Sequence, residues 1–175
     1  MSSLQSPYKP VLVNADPSER RRWPRKTVLI RAIIADLNGE NVSDCTIRDV
    51  STGGAQISLS RNLEKGEQTY LVDAGNRAAH LAKVMWTNAD RAGLSYSRSY
   101  TIGLGLPPQL KFLWRLLLEA KLSEVDRIVA AGVSVGLAFK SVGLTNELLH
   151  QMARHAGGDD KFAQLLFHAR RLLKV

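Results

Sequence analysis

Arginine is concentrated in one short run, Arg20-Arg21-Arg22-Trp23-Pro24-Arg25, and about two dozen residues later comes Asp49-Val50-Ser51-Thr52-Gly53-Gly54. The two stretches have complementary chemistry. Clustered guanidiniums grip phosphates as planar forks, stack on aromatic rings and donate to the acceptor edge of guanine. An Asp-x-Ser-x-x-Gly turn supplies a carboxylate, a hydroxyl and close-approach backbone, which suits the donor edge of the same base. Together they describe a site for a guanine nucleotide carrying several phosphate charges.

The elements around these residues decide how they can be held. Residues 1–18 contain three prolines and no sustained periodicity, so they read as a flexible leader. Pro24 fixes φ and removes a donor inside the arginine run, which predicts a loop there. From Thr27, two interleaved sets rich in β-branched residues, Val28, Ile30, Ala32, Ile34 and Leu29, Arg31, Ile33, Ala35, predict a partly buried strand. Asn38-Gly39 predicts a type I′ hairpin with both residues at positive φ. A return strand follows over Val42 to Arg48, leading into the Asp49–Gly54 turn. Ala55, Ile57 and Leu59 then alternate with Gln56, Ser58 and Ser60, a strand with one buried face. Further strands are expected over 68–73, 78–87 and 92–97, so that six short strands suggest a small antiparallel barrel.

The texture changes at Pro107-Pro108. Leu110, Leu113, Trp114, Leu117 and Leu118 mark one face of a helix, and Phe112 and Leu116 add apolar surface on another side. That excess predicts more than one contact surface. Thr145 is the expected N-cap of a helix over 146–156, ending at Gly157-Gly158. Asp159 or Asp160 caps a last helix with Phe162, Leu165, Leu166, Ala169, Leu172 and Leu173 on one face. Residues 130–143 carry three glycines among mixed β-branched residues and yield no assignment.

The order and spacing of the two motifs resemble those of the PilZ domain, a bacterial sensor of the second messenger cyclic di-GMP. Arg21-Arg22-Trp23-Pro24-Arg25 is similar to that family's R-R-x-x-R form, and Asp49 to Gly54 matches its [D/N]-x-S-x-x-G motif, with Ala55-Gln56-Ile57 following. Lys83-Val84-Met85-Trp86 with Gly93-Leu94-Ser95-Tyr96 fits more loosely, since Tyr96 stands where the family usually has Phe. The resemblance spans about residues 19–100. It implies a mainly β fold, a PilZ-like six-stranded antiparallel β-barrel over 19–106, with a C-terminal helical extension over 107–175. It also implies a ligand site of Arg21, Arg22, Arg25, Asp49, Ser51 and Gly54 for cyclic di-GMP. Arg20 lies outside the matched pattern, and Trp23 occupies a variable position.

Composition narrows the function classes. Of the formal +8, residues 19–31 carry +5, a local patch on a nearly balanced body that suits one compact polyanion better than a nucleic-acid-coating surface. The single cysteine, Cys45, excludes a disulfide framework and a cysteine-based zinc site. His80, His150, His155 and His168 have no metal-ligand spacing, and no phosphate loop or nucleophile–base constellation is present. Met1 to Pro10 lack a secretory pattern, and the longest nearly uncharged apolar run, Ile128 to Phe139, is too short to span a bilayer. The expectation is a cytoplasmic, non-enzymatic receptor that needs no cofactor or metal. Its partners would be cyclic di-GMP, an effector protein and, through the helical extension, a second copy. Two alternatives stand beside it: a nucleic-acid-binding module, which a pI near 9.9 permits, and an adaptor of the same fold that binds no nucleotide.

Overall fold

Alternation along β1 (Lys26–Ala35) decides how the chain is layered. The computed structural model describes residues 24–173. Ala32 and Ile34 point to an inner core, whereas Ile33 and Ala35 point the opposite way into a second one. Neighbouring residues on a strand face opposite sides, so one run of ten residues serves two cores. The strand is followed by β2 (Ser43–Ser51), β3 (Gly54–Leu59), β4 (Gln68–Asp73), β5 (Ala78–Asn88) and β6 (Arg91–Thr101). They close into a barrel in the order β1-β2-β3-β6-β5-β4, with every neighbour antiparallel. The six expected strands are all present.

The barrel interior holds Ile34, Cys45, Ile47, Ala55, Ile57, Leu71, Val84 and Leu94. Burial pushes the Cys45 thiol up to about 12, with the Asp44 charge adding to it, so the side chain is a small hydrophobe at neutral pH. The outer wall of β1, β4 and β5 is apolar as well: Ile33, Ala35, Tyr70, Val72 and Ala79 belong to the second core. After a short 3-10 turn at Pro108–Leu110, α1 (Phe112–Ala130) covers this wall.

Leu113, Trp114, Leu116, Leu117 and Leu118 of α1 are all fully buried, the mark of a helix packed on every side. Its other sides meet α2 (Val135–Ser141) and α4 (Asp160–Leu173), and α3 (Asn146–Ala153) packs on α4 in the same core. Leu116 is thus satisfied within the chain, and Phe112 sets its ring edge-on to Tyr70 with centroids 5.4 Å apart. The stripe of α4 is also turned inward: Phe162, Leu166 and Ala169 are buried, and Leu165, Leu172 and Leu173 pack against the same core. Thr145 caps α3 by accepting from the Leu148 N–H, and Asp159 caps α4 by accepting from the Phe162 N–H at 2.9 Å. The uninterpreted stretch 130–143 contains α2.

The β1–β2 connection departs from expectation. It is not a two-residue type I′ turn: Gly39 (φ 73°) and Asn41 (φ 49°) take the positive-φ positions, and Asn38 does not. The cause is Asp36, whose carboxylate accepts from the Asn38 and Glu40 N–H groups and from the Asn41 amide, winding a longer loop. A side chain on Gly39 would run into the Phe112 ring, so the loop sits directly on α1.

Arg115 fixes that contact. Its guanidinium, almost fully buried, donates to the Gly39 carbonyl (2.8 Å), to Glu119 of α1 (3.0 Å) and to Asp159 at the cap of α4 (3.1 Å), with Glu40 at 3.5 Å. One side chain therefore joins the first hairpin, the central helix and the last helix. We expect Arg115→Met to lower unfolding stability by about 3 kcal/mol, since it strands a buried carbonyl and three carboxylates that keep partial access to water. Urea denaturation measures this; a change under about 0.5 kcal/mol, the size of an ordinary surface substitution, would refute the role.

Candidate functional site

Register brings the two motifs together. Lys26 pairs with Val50 and Thr27 with Asp49, so Arg25, exposed and one residue upstream, enters the barrel beside the end of β2. The hydroxyl of Thr27 donates to the Asp49 carboxylate at 2.9 Å, tying the start of β1 to the second motif. Arg21 and Arg22, as well as Arg20 and Trp23, lie outside the described residues.

Asp49 faces outward because of a bulge. Cys45 and Ile47 point into the barrel, and strict alternation would send Asp49 after them. Instead the register with β3 shifts between Ile47 and Asp49, leaving Arg48 as the extra residue, and the register with β1 shifts at the same level. Past the bulge, Val50 packs against the inner core while Asp49 pairs with outward-facing Gln56. Arg48 is held aside by its bond to the Ser58 hydroxyl (3.1 Å). The bulge thus converts a buried carboxylate position into a presented one.

The expected Asp49–Gly54 turn is shorter than its motif. Asp49 to Ser51 belong to β2, Ser51 pairs with Gly54, and only Thr52 and Gly53 form the turn. Ser51 donates to the Gly54 carbonyl at 3.3 Å, and the Gly53 carbonyl accepts from the Tyr96 N–H at 2.9 Å, which anchors the turn to β6. Gly54 has a steric explanation inside the barrel itself: a Cβ there would overlap the Leu94 carbonyl oxygen. Its absence of a side chain is needed for β3 to approach β6.

The register also reveals residues that sequence reasoning did not place. Reading across the strands, Thr27 pairs with Asp49, Asp49 with Gln56, Gln56 with Gly93 and Gly93 with Trp86. Paired residues share a face, so these five form one outward row. Trp86 lays its indole over Gly93, where any side chain would collide with the ring, and it remains 38% exposed. The row therefore runs from a hydroxyl and carboxylate, past an amide, to an accessible aromatic plane. The only signal in the sequence was Trp86 and Gly93 seven residues apart, and their juxtaposition needs the β5–β6 register, which carries its own shifts at Val84/Trp86.

The histidines belong to other surroundings. His80 stacks on Tyr96 with centroids 4.1 Å apart and hydrogen-bonds Ser99 at 2.7 Å; burial holds its pKa below the ordinary value against the opposing charge of Asp73. The Tyr96 phenol is pushed up to about 12, chiefly by burial. Among the described residues there is no group of three or more His, Cys, Asp or Glu able to hold a metal, and no helix long and apolar enough to cross a membrane.

Comparison with known proteins adds the family. No curated protein matches the chain. Among solved structures, the PilZ domain of CeSA from a cellulose-synthesizing bacterium is 18% identical with a TM-score of 0.35, covering 55% of this chain and 96% of that one. The Bacillus subtilis inhibitor of motility MotI/DgrA is 16% identical with a TM-score of 0.39 (62% and 52% covered). Escherichia coli YcgR, solved in complex with c-di-GMP, is 15% identical with a TM-score of 0.36 (64% and 50%). The chain thus spans about half the length of the latter two structures, and at TM-scores below 0.5 none of the three adds to the assignment. The decisive match is the sequence profile of the PilZ domain, which covers residues 19–106, half of the chain and both motifs. With a closed six-stranded antiparallel barrel behind those motifs, the chain belongs to the PilZ domain family.

Proposed function

We propose that this protein is a non-enzymatic receptor for cyclic di-GMP that passes ligand occupancy to a protein partner. One observation carries the reading: the β1–β2 register sets Arg25 beside the Asp49–Ser51 segment, on the outer wall that also presents Gln56 and Trp86. A guanine needs an acceptor for its N1–H and exocyclic amine, which Asp49 supplies, and donors for O6 and N7, which arginine supplies. Arg21, Arg22 and Arg25 bind the phosphates, Ser51 donates to phosphate or stiffens the turn, and Trp86 offers a stacking plane. Gly54 acts through the shape of the barrel.

The link to a partner runs along β1. Its start adjoins the arginine motif, Arg31 lies 3.8 Å from Glu124 of α1, and Ile33 and Ala35 pack into the core shared with α1. Ligand held between the arginine motif and Asp49 therefore loads a strand already coupled to the helices, a switch driven by charge pairing. The apolar stripes of α1 and α4 are used inside the chain, which leaves Leu137 (60% exposed) and Phe167 (71%) as the apolar groups that an effector or second copy would meet on the helices.

In a calorimetric titration the protein should bind cyclic di-GMP and discriminate against cyclic di-AMP, whose exocyclic amine replaces O6 and mismatches the arginine fork. Arg21→Ala, Arg25→Ala and Asp49→Ala should each weaken binding by about 2 kcal/mol with little change in melting temperature. Equal affinity for the adenine analogue removes the base-reading claim, and no binding at all leaves the adaptor alternative. Gly54→Ala should behave differently, lowering stability by about 2 kcal/mol without ligand present, because the strand must move away from the Leu94 carbonyl. A fully stable Gly54→Ala would assign that glycine to the ligand instead. For assembly, light scattering should register any dimer of the full chain as lost in a Leu137→Ser/Phe167→Ser double variant; a dimer that persists there rules out these two residues as the contact.

A further inference from the structure

A cleft of about 1200 Å³ opens beside β1, between the barrel and the helices, with Asp44 and Cys45 of β2 also on its lining. It is bounded by residues 29–33 of β1, the β4–β5 turn at Ala74, Gly75 and Arg77, α1 from Ala120 to Ile128, and the α2–α3 connection. Its size exceeds that of most small-molecule pockets. The lining carries charges of both signs, with Glu147 in the first turn of α3 among the carboxylates. Asp44 and Glu124 are already engaged, by Ser123 and by Arg31 and Arg127 respectively. Two cations, Arg77 and Lys121, lie toward the β4–β5 turn and form no ion pair among the described residues.

Each of these cations is costly where it stands. Lys121 is 6% exposed and gives one proton to the Val142 carbonyl at 2.5 Å, leaving two of its three donors. Burial and then the charge of Arg77 hold its pKa below the ordinary lysine value, opposed by the charge of Asp73. Asp73 itself accepts both the Asn76 N–H and the Asn76 side-chain amide. The Nε of Arg77 is buried without a partner, and its guanidinium lies 5.5 Å from the centroid of the Trp114 ring. Arg77 also adopts φ 51°, a left-handed conformation that glycine or asparagine would take more easily. A strained backbone that delivers a guanidinium with an unpartnered Nε near a desolvated ammonium is an arrangement that structural stability alone does not favour.

We propose that Arg77 and Lys121 form a second anion site, distinct from the nucleotide site on the barrel wall, that binds the oxyanion group of a small molecule seated in the cleft. A phosphoryl or carboxylate oxygen accepts from the Arg77 guanidinium and from the free protons of Lys121 Nζ, adding counter-charge to two cations that form no ion pair among the described residues. The remainder of such a molecule would lie along Ala120, Ser141, Gly143 and Gln151.

The test is a thermal-shift titration of the full chain with inorganic phosphate against sodium chloride at matched ionic strength. Phosphate should raise the melting temperature in a saturable way, and the rise should vanish in Arg77→Gly and in Lys121→Met. Arg77→Gly suits the positive φ and removes the unsatisfied Nε, so it should fold at least as well as the parent chain. Acetate in a parallel titration separates the two chemistries: a response to phosphate alone identifies a phosphoryl ligand, a response to acetate a carboxylate. Arg25→Ala should retain the response. No saturable shift beyond chloride, an unchanged shift in Arg77→Gly, or loss of the shift in Arg25→Ala would each overturn the proposal.

Discussion

The barrel cannot stand with its outer wall exposed. Ile33, Ala35, Tyr70, Val72 and Ala79 make one side of it as apolar as its interior, and a β-sheet face of that kind must be covered. α1 covers it and in doing so acquires a second apolar side that needs cover in turn, which α2 and α4 provide, with α3 packed on α4. The helices are thus the completion of a layer sequence begun by the alternation in β1, each layer required by the one beneath. Burying each large aliphatic side chain contributes about 1.5–3 kcal/mol, so the second core is a major share of what opposes chain entropy. Arg115 adds orientation to this nondirectional packing, because only one placement of hairpin, α1 and α4 satisfies its fork.

The candidate site stands on the opposite principle, a local break in regularity. If β2 ran on without the bulge at Arg48, the carboxylate of Asp49 would point among Cys45, Ile47 and Ile57, where no partner awaits it. The bulge lets one strand keep its apolar side chains inside before and after Arg48 while showing Asp49 and Ser51 to solvent. Thr27 then steadies the carboxylate from the neighbouring strand, and the Gly53–Tyr96 bond steadies the turn.

How much of this was readable in advance follows from which interactions are local. The six strands, the caps at Thr145 and Asp159 and the inward stripe of α4 rest on periodicity and short-range bonding, and they were legible. Asn38-Gly39 misled because Asp36, two residues upstream, competes for the loop's N–H groups and outweighs the dipeptide preference. The bulge, the row ending at Trp86 and the double burial of α1 depend on register and on layers distant in sequence. A hydropathy pattern marks Leu116 as apolar but does not say which surface receives it. The excess of apolar surface on α1 correctly indicated several contact surfaces, although those surfaces belong to the same chain.

The joints of the barrel are unequal in length. β5 and β6 pair from one end to the other, whereas β1 and β4 meet only over Ile33–Ala35 opposite Tyr70–Val72. Among the described residues, the earlier part of β1 is paired with β2 alone. Local opening follows the least-bonded seam, so amide exchange at the β1–β4 joint, over Ile33–Ala35 and Tyr70–Val72, is governed by how often this joint parts, rather than by global unfolding. The cylinder behaves less like a closed tube than like a sheet rolled up and fastened by a three-residue clasp. Anything that settles in the cleft beside that clasp would slow its release, and the easiest opening of the barrel would then report on the contents of the cleft.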